Sequence, residues 1–92
     1  MLVTLEEAKE YLRVDFDDED ALITQLISTA QNLCMSIARY KDEETFDAKC
    51  KEAKIAILYS VGYLYEHREE ADHHALTITL RSLLFGIRKE AF

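Results

Sequence analysis

Apolar positions recur at helical spacing along nearly the whole chain. Leu5, Ala8 and Leu12 form the first stripe, which runs through about Arg13. Thr4 opens it and Glu7 follows three positions on, the pairing in which each side chain satisfies the other residue's free amide. A helix this short is unstable alone and has to dock. "VDFDDEDA" then breaks the pattern. Asp15, Asp17 and Asp18 suit a turn and an N-cap, and Glu19 and Asp20 complement the positive end of the next helix dipole. The second helix is predicted over 18–40, roughly 30 Å at 1.5 Å per residue. Leu22, Ile23, Leu26, Ile27, Ala30, Leu33, Cys34, Ile37 and Ala38 give it a wide apolar stripe.

"KDEET", 41–45, reads as a connection, and a third helix is predicted over 46–68. Its stripe is Phe46, Cys50, Ala53, Ile57, Val61 and Leu64. Ile55, Leu58, Tyr59 and Tyr63 project elsewhere, so the helix is apolar nearly all round from 55 to 65. Such a helix is enclosed on more than one side. Either it is central to its own chain, or a neighbouring subunit covers its back. Gly62 costs up to ~1 kcal/mol against alanine in mid-helix, and close approach of another helix would account for it. Leu76, Leu80, Leu83, Leu84 and Ile87 predict a fourth helix over 77–89. Arg81, Arg88 and Lys89 lie on its polar side, while Phe85 falls off the stripe and Phe92 ends the sequence.

The expected fold is therefore all-α: a small bundle of four helices (short, long, long, short) with brief connections, as one domain over 1–92. The absence of proline and the presence of only two glycines favour long helices over sheet and loop. A domain of this size buries only ~60–65% of its unfolded surface, so a partner surface would help it. The second helix carries an uncharged polar face of Thr24, Gln25, Ser28, Gln31, Asn32 and Ser36. Such a face is cheap to desolvate, which makes it a candidate subunit contact as well as an ordinary wet surface.

Charge narrows the choice of function. A formal net charge of −7 does not suit binding to nucleic-acid phosphates, which needs a basic patch. Cys34 and Cys50 lie on apolar faces with no C-x-x-C or Cys/His pairing, as expected of buried thiols in a reducing compartment. No apolar run approaches the ~18 residues of a membrane span, and Glu6 and Glu7 follow Met1 too closely for a signal peptide. The expectation is a protein that is intracellular when made.

One stretch holds candidate chemistry. "YLYEHREEADHH", 63–74, contains His67, His73 and His74, together with Glu66, Glu69, Glu70, Asp72 and Arg68. Zinc hydrolases on helices use H-E-x-x-H; here the order is Glu66-His67 and position 71 is alanine. Glu70 and His73 make one E-x-x-H pair, where a di-iron bundle needs two pairs and two further inward glutamates. The acidic turn at 15–20 fails as a calcium loop, lacking glycine at the sixth position and glutamate at the twelfth. No nucleophile elbow, P-loop or dinucleotide fingerprint is present. The expectation is no enzyme, no metal and no cofactor, with 66–74 a solvated helix end and hinge.

The order of the pieces carries more information than any one of them. "TLEEAKEYLRVDFDDEDALITQLISTAQNL", 4–33, resembles the opening of the small head–tail connector proteins of long-tailed phages and prophages. That family starts with a short helix "L-x-x-A-K-x-x-L-R-V-D", an acidic turn "D-D-x-x-L-I" and a long helix. "AILYSVGYLYEHRE", 56–69, is similar to its apolar helix ending in Tyr-Glu-x-Arg-Glu, and "LRSLLFGIRKE", 80–90, to its closing Leu-Leu-x-x-x-Arg segment. The chain departs from the family in lacking a proline before the last helix.

The resemblance implies an all-helical virion protein without enzymatic activity. It implies a homo-oligomeric ring between the portal protein and the tail or head-completion proteins, through which DNA passes without sequence-specific binding. Closure of such a ring needs two different faces per subunit. Tyr59, Tyr63, Tyr65, Glu66 and Arg68 are the expected subunit or core contacts; Leu80, Leu83, Leu84 and Arg88 are expected to dock the last helix. Acids of "DFDDED" or "EHREEADHH" are candidates to line a lumen that repels phosphate. The alternative is a helical DNA-packaging or regulatory protein, such as a small terminase-type subunit. Its most basic helix, with Arg81, Arg88 and Lys89, is sparse for reading DNA.

Overall fold

A computed structural model describes residues 1–67 and 73–85. Its α-helices are α1 (Leu5–Leu12), α2 (Asp20–Ala38), α3 (Glu43–Lys49), α4 (Lys54–Glu66) and α5 (His73–Leu84), with a 3₁₀ turn at Lys51–Ala53 between α3 and α4. The described residues are all-helical, with five α-helices where the hydrophobic pattern predicts four. Side-chain caps start α1 and α3, whereas Glu19, rather than Asp15, Asp17 or Asp18, stands at the N-cap of α2 and makes no capping hydrogen bond.

The capping box at Thr4 is formed in full. Glu7 N donates to Thr4 Oγ1 at 3.1 Å, and Thr4 N donates to Glu7 Oε1 at 3.0 Å. The helix stops at Arg13, which adopts a left-handed conformation at φ 60° while Val14 N donates back to Lys9 O at 2.9 Å. α2 ends the same way, with Arg39 at φ 66° and Tyr40 N donating to Met35 O at 2.8 Å. Both stops are Schellman-type closures with arginine where glycine is usual.

The predicted helix over 46–68 is divided. The backbone leaves the helical region at Cys50, at φ −122° and ψ 45°, then re-enters through the 3₁₀ turn. Phe46, Cys50, Ala53, Ile57, Val61 and Leu64 are nonetheless all buried. The stripe survives because a tight turn preserves the sidedness of residues three and four apart. α3 also begins earlier than expected. Asp42 caps it, accepting from Thr45 N at 3.0 Å and from Thr45 Oγ1 at 2.6 Å, so part of "KDEET" is helix rather than connection. α5 begins at His73, four residues before its predicted start; the segment from 86 onward lies outside the described residues.

α2 and α4 form the central pair, and α1 and α5 each pack on both. Ala56, Ile57, Ser60, Val61, Gly62 and Leu64 are buried around the circumference of α4. The all-round apolar character read from the sequence is therefore largely used within one chain. Leu76, Leu80 and Leu84 of α5 are fully buried against the same core. Burial of each such leucine contributes ~1.5–3 kcal/mol.

Gln31 departs from its expected place on an exposed polar face. It is completely buried. Its Oε1 accepts from Leu2 N at 3.1 Å and its Nε2 donates to Asp47 Oδ1 at 2.8 Å. The side chain ties the leading segment and α3 to α2, and its hydrogen bonds offset the cost of burying an amide. Thr24, Gln25, Asn32 and Ser36 remain exposed.

Candidate functional site

Ion pairs fix α1 to the rest of the molecule and set the walls of a groove. Glu7 of α1 pairs with Lys54 at the start of α4. Lys9 reaches the acidic turn, with Asp17 Oδ1 and Asp20 Oδ1 each 2.8 Å from its amino group. These two carboxylates push the Lys9 ammonium up to about 12, Asp17 the more strongly, and the same contact holds Asp17 below the usual carboxylate range. Tethered through Glu7 and Lys9, α1 carries Tyr11 over α4. The Tyr11 Cε2 stands 3.0 Å from where a Cβ on Gly62 would lie. Gly62 therefore admits the Tyr11 ring of α1, the close helix approach that its position suggested.

Between the helices runs an open groove of 540 Å³, lined by Tyr11, Arg13, Tyr59, Tyr63, Glu66 and His67 among others. On α4, Ile55, Tyr59, Gly62 and Glu66 follow at helical spacing and share one face. Ile55 is 71% exposed and Tyr59 37%. Tyr63 is half-buried and stacks on His67, with ring centroids 4.3 Å apart, and His67 Nδ1 lies 2.9 Å from the Tyr63 carbonyl oxygen. Tyr65 points the other way. Its hydroxyl donates to Glu19 Oε1 at 2.5 Å, which joins the end of α4 to the start of α2.

The residues expected at contacts thus have different surroundings. Tyr59, Tyr63 and Glu66 share the groove, while Tyr65 holds two helices together. Leu80 and Leu84 are buried in the core, whereas Leu83 is 47% exposed. Arg68 and Arg88 lie outside the described residues. So do Glu69, Glu70 and Asp72 of the histidine-rich stretch. Among the described residues, no group of three His, Cys, Asp or Glu side chains is placed to hold a metal ion. Cys34 and Cys50 are buried and unpaired as disulfides, and burial pushes the Cys34 thiol up to about 11. A thiol held neutral in this way is a poor nucleophile.

Tyr11 and Arg13 were not singled out by pattern, because Tyr11 falls off the Leu5–Ala8–Leu12 stripe and Arg13 sits at the helix stop. A second exposed apolar area lies on α5, where Ile78 is 53% exposed and the adjoining Phe85 79%. Among the described residues, no helix is long and apolar enough to cross a membrane.

The family model described as "Phage gp6-like head-tail connector protein" matches residues 2–91, nearly the whole chain. No curated protein and no solved structure matches.

Proposed function

Because the chain belongs to the phage gp6-like head-tail connector family, whose role is structural, we propose that it assembles with copies of itself into a ring joining portal and tail. DNA passes through that ring. The supporting observation is the placement of exposed apolar residues. They lie in two areas on different elements, one around Tyr11, Ile55 and Tyr59, the other at Ile78 and Phe85. A monomer gains nothing from leaving such residues in water, and a head-to-tail assembly needs two unlike faces. Tyr59, Tyr63 and Glu66 belong to the first area; Arg68 and Arg88 are contacts in the same reading. Leu80 and Leu84 dock α5 on its own chain and so hold the second area in place.

Net acidity suits the passage of DNA. Asp15 and Asp18 are exposed in the turn before α2 and add negative charge that repels phosphate. The partners in this reading are the portal protein and the tail or head-completion proteins, and the finished location is the virion. Deletion of the gene from the phage is the test. Filled heads and free tails that fail to join are expected, and normal yields of tailed, infectious particles would contradict the reading.

A further inference from the structure

Two exposed apolar areas on different elements each carry an exposed charged side chain, Glu66 in one and Arg81 in the other. The outward face of α4 and its groove offers Ile55, Tyr59 and Glu66, with the Tyr11 ring seated over Gly62 between them. Ile78 and Arg81, spaced i and i+3, share one outward face of α5, and the exposed Phe85 follows just past the helix end. In a chain of net charge −7, α5 carries no aspartate or glutamate, and Arg81 is its formal cation. α1 forms one wall of the groove with Tyr11 and Leu12, and Arg13 follows at its end. Glu66 and Arg81 are both exposed, and neither has an ion-pair partner among the described residues. An aromatic groove that holds the Glu66 carboxylate, with Arg13 and His67 also in its lining, and an apolar ridge that carries Arg81 thus sit on different elements of one molecule. We infer that the outer face of α5 in one copy seats in the α1–α4 groove of the next, with Arg81 set against Glu66. This rests on the ring reading above and gives that ring its contact.

The chemistry fits an apolar ridge laid into a groove. Ile78 and Phe85 leave water against Tyr11 and Tyr59, and the Arg81 guanidinium has tyrosine faces to stack on as well as a carboxylate to bond. The contact is heterologous, because each copy uses its groove for one neighbour and its α5 for the other.

Charge reversal on the full chain tests this. Glu66→Arg and Arg81→Glu alter exposed positions, and circular dichroism confirms that each variant folds. Sedimentation equilibrium over a concentration series, with electron microscopy, then reads self-association. The wild-type chain is expected to associate, and each single variant to do so at least roughly tenfold more weakly, as befits a like-charge contact at an interface. A mixture of the two variants is expected to regain association, because alternating copies set the arginine placed at 66 against the glutamate placed at 81 at one contact and the native Glu66 against Arg81 at the next. Association unchanged in the single variants, or no recovery on mixing, overturns the inference. So does a wild-type chain that stays monomeric throughout. In each of those cases the connector reading stands or falls separately, on the joining of heads to tails in the gene deletion.

Discussion

Gln31 donates to Asp47 at 2.8 Å from a side chain that is completely enclosed, and so makes one buried amide the junction of α2, α3 and the leading segment. Gln31→Met keeps length and volume while removing both hydrogen bonds. Leu2 N then loses its acceptor and Asp47 loses a donor. The expected loss is ~1–3 kcal/mol in urea unfolding, with the slope unchanged. A loss below about 0.5 kcal/mol, the range of ordinary surface substitutions, would show that Gln31 is not a junction.

Stability should respond to pH at both ends through the ties on α1. The Asp17 carboxylate is held low by Lys9, and Glu7 is held low chiefly by Lys54. Their contributions are present above their ordinary values of 3.8 and 4.5 and are lost as pH falls through the lowered ones. Lys9 is displaced in the other direction. Its contribution is complete below the ordinary value of 10.5 and is lost as pH rises through about 12. The buried Cys34 thiol adds an earlier alkaline loss, beginning at its ordinary value of 9.0 and ending near 11. The Met1 amino group, held above its ordinary value of 8.0 chiefly by its hydrogen bond to Asp47, begins the alkaline loss earlier still. Urea midpoints should therefore be nearly level from about pH 5 to pH 8 and fall on both sides. Lys9→Met should flatten the acid limb, because Asp17 reverts to its ordinary value. An acid limb that superimposes on the wild type would remove Lys9 from this role.

Most of the fold was legible because apolar spacing and capping chemistry are local. Thr4 and Glu7 announce α1, the stripe of α4 is buried as its spacing requires, and in α2 Ile23, Ile27, Ala30, Cys34 and Ala38 are buried while Leu22, Leu26, Leu33 and Ile37 are half-buried beside them. The break at Cys50 was not legible. No proline or glycine marks it, and the stripe runs through it uninterrupted, so tertiary packing of Phe46 and Cys50 decides the bend. Gln31 was misplaced for a related reason. An amide in a run of small polar residues looks like surface until Asp47 and Leu2 N, distant in sequence, are brought to it. The groove was half legible. Tyr59, Tyr63 and Glu66 came from the helix that carries them, but the opposite wall, Tyr11 and Arg13, depends on how α1 docks.

Central to the account is a structural chain that holds the head to the tail through contacts with its own copies. Electron cryomicroscopy of the portal–tail joint in purified particles tests this most directly. The account predicts density for this chain as a closed ring around the DNA path, with α5 of each copy against α1 and α4 of the next. A joint whose density leaves no place for the chain, or particles that lack it altogether, would contradict it.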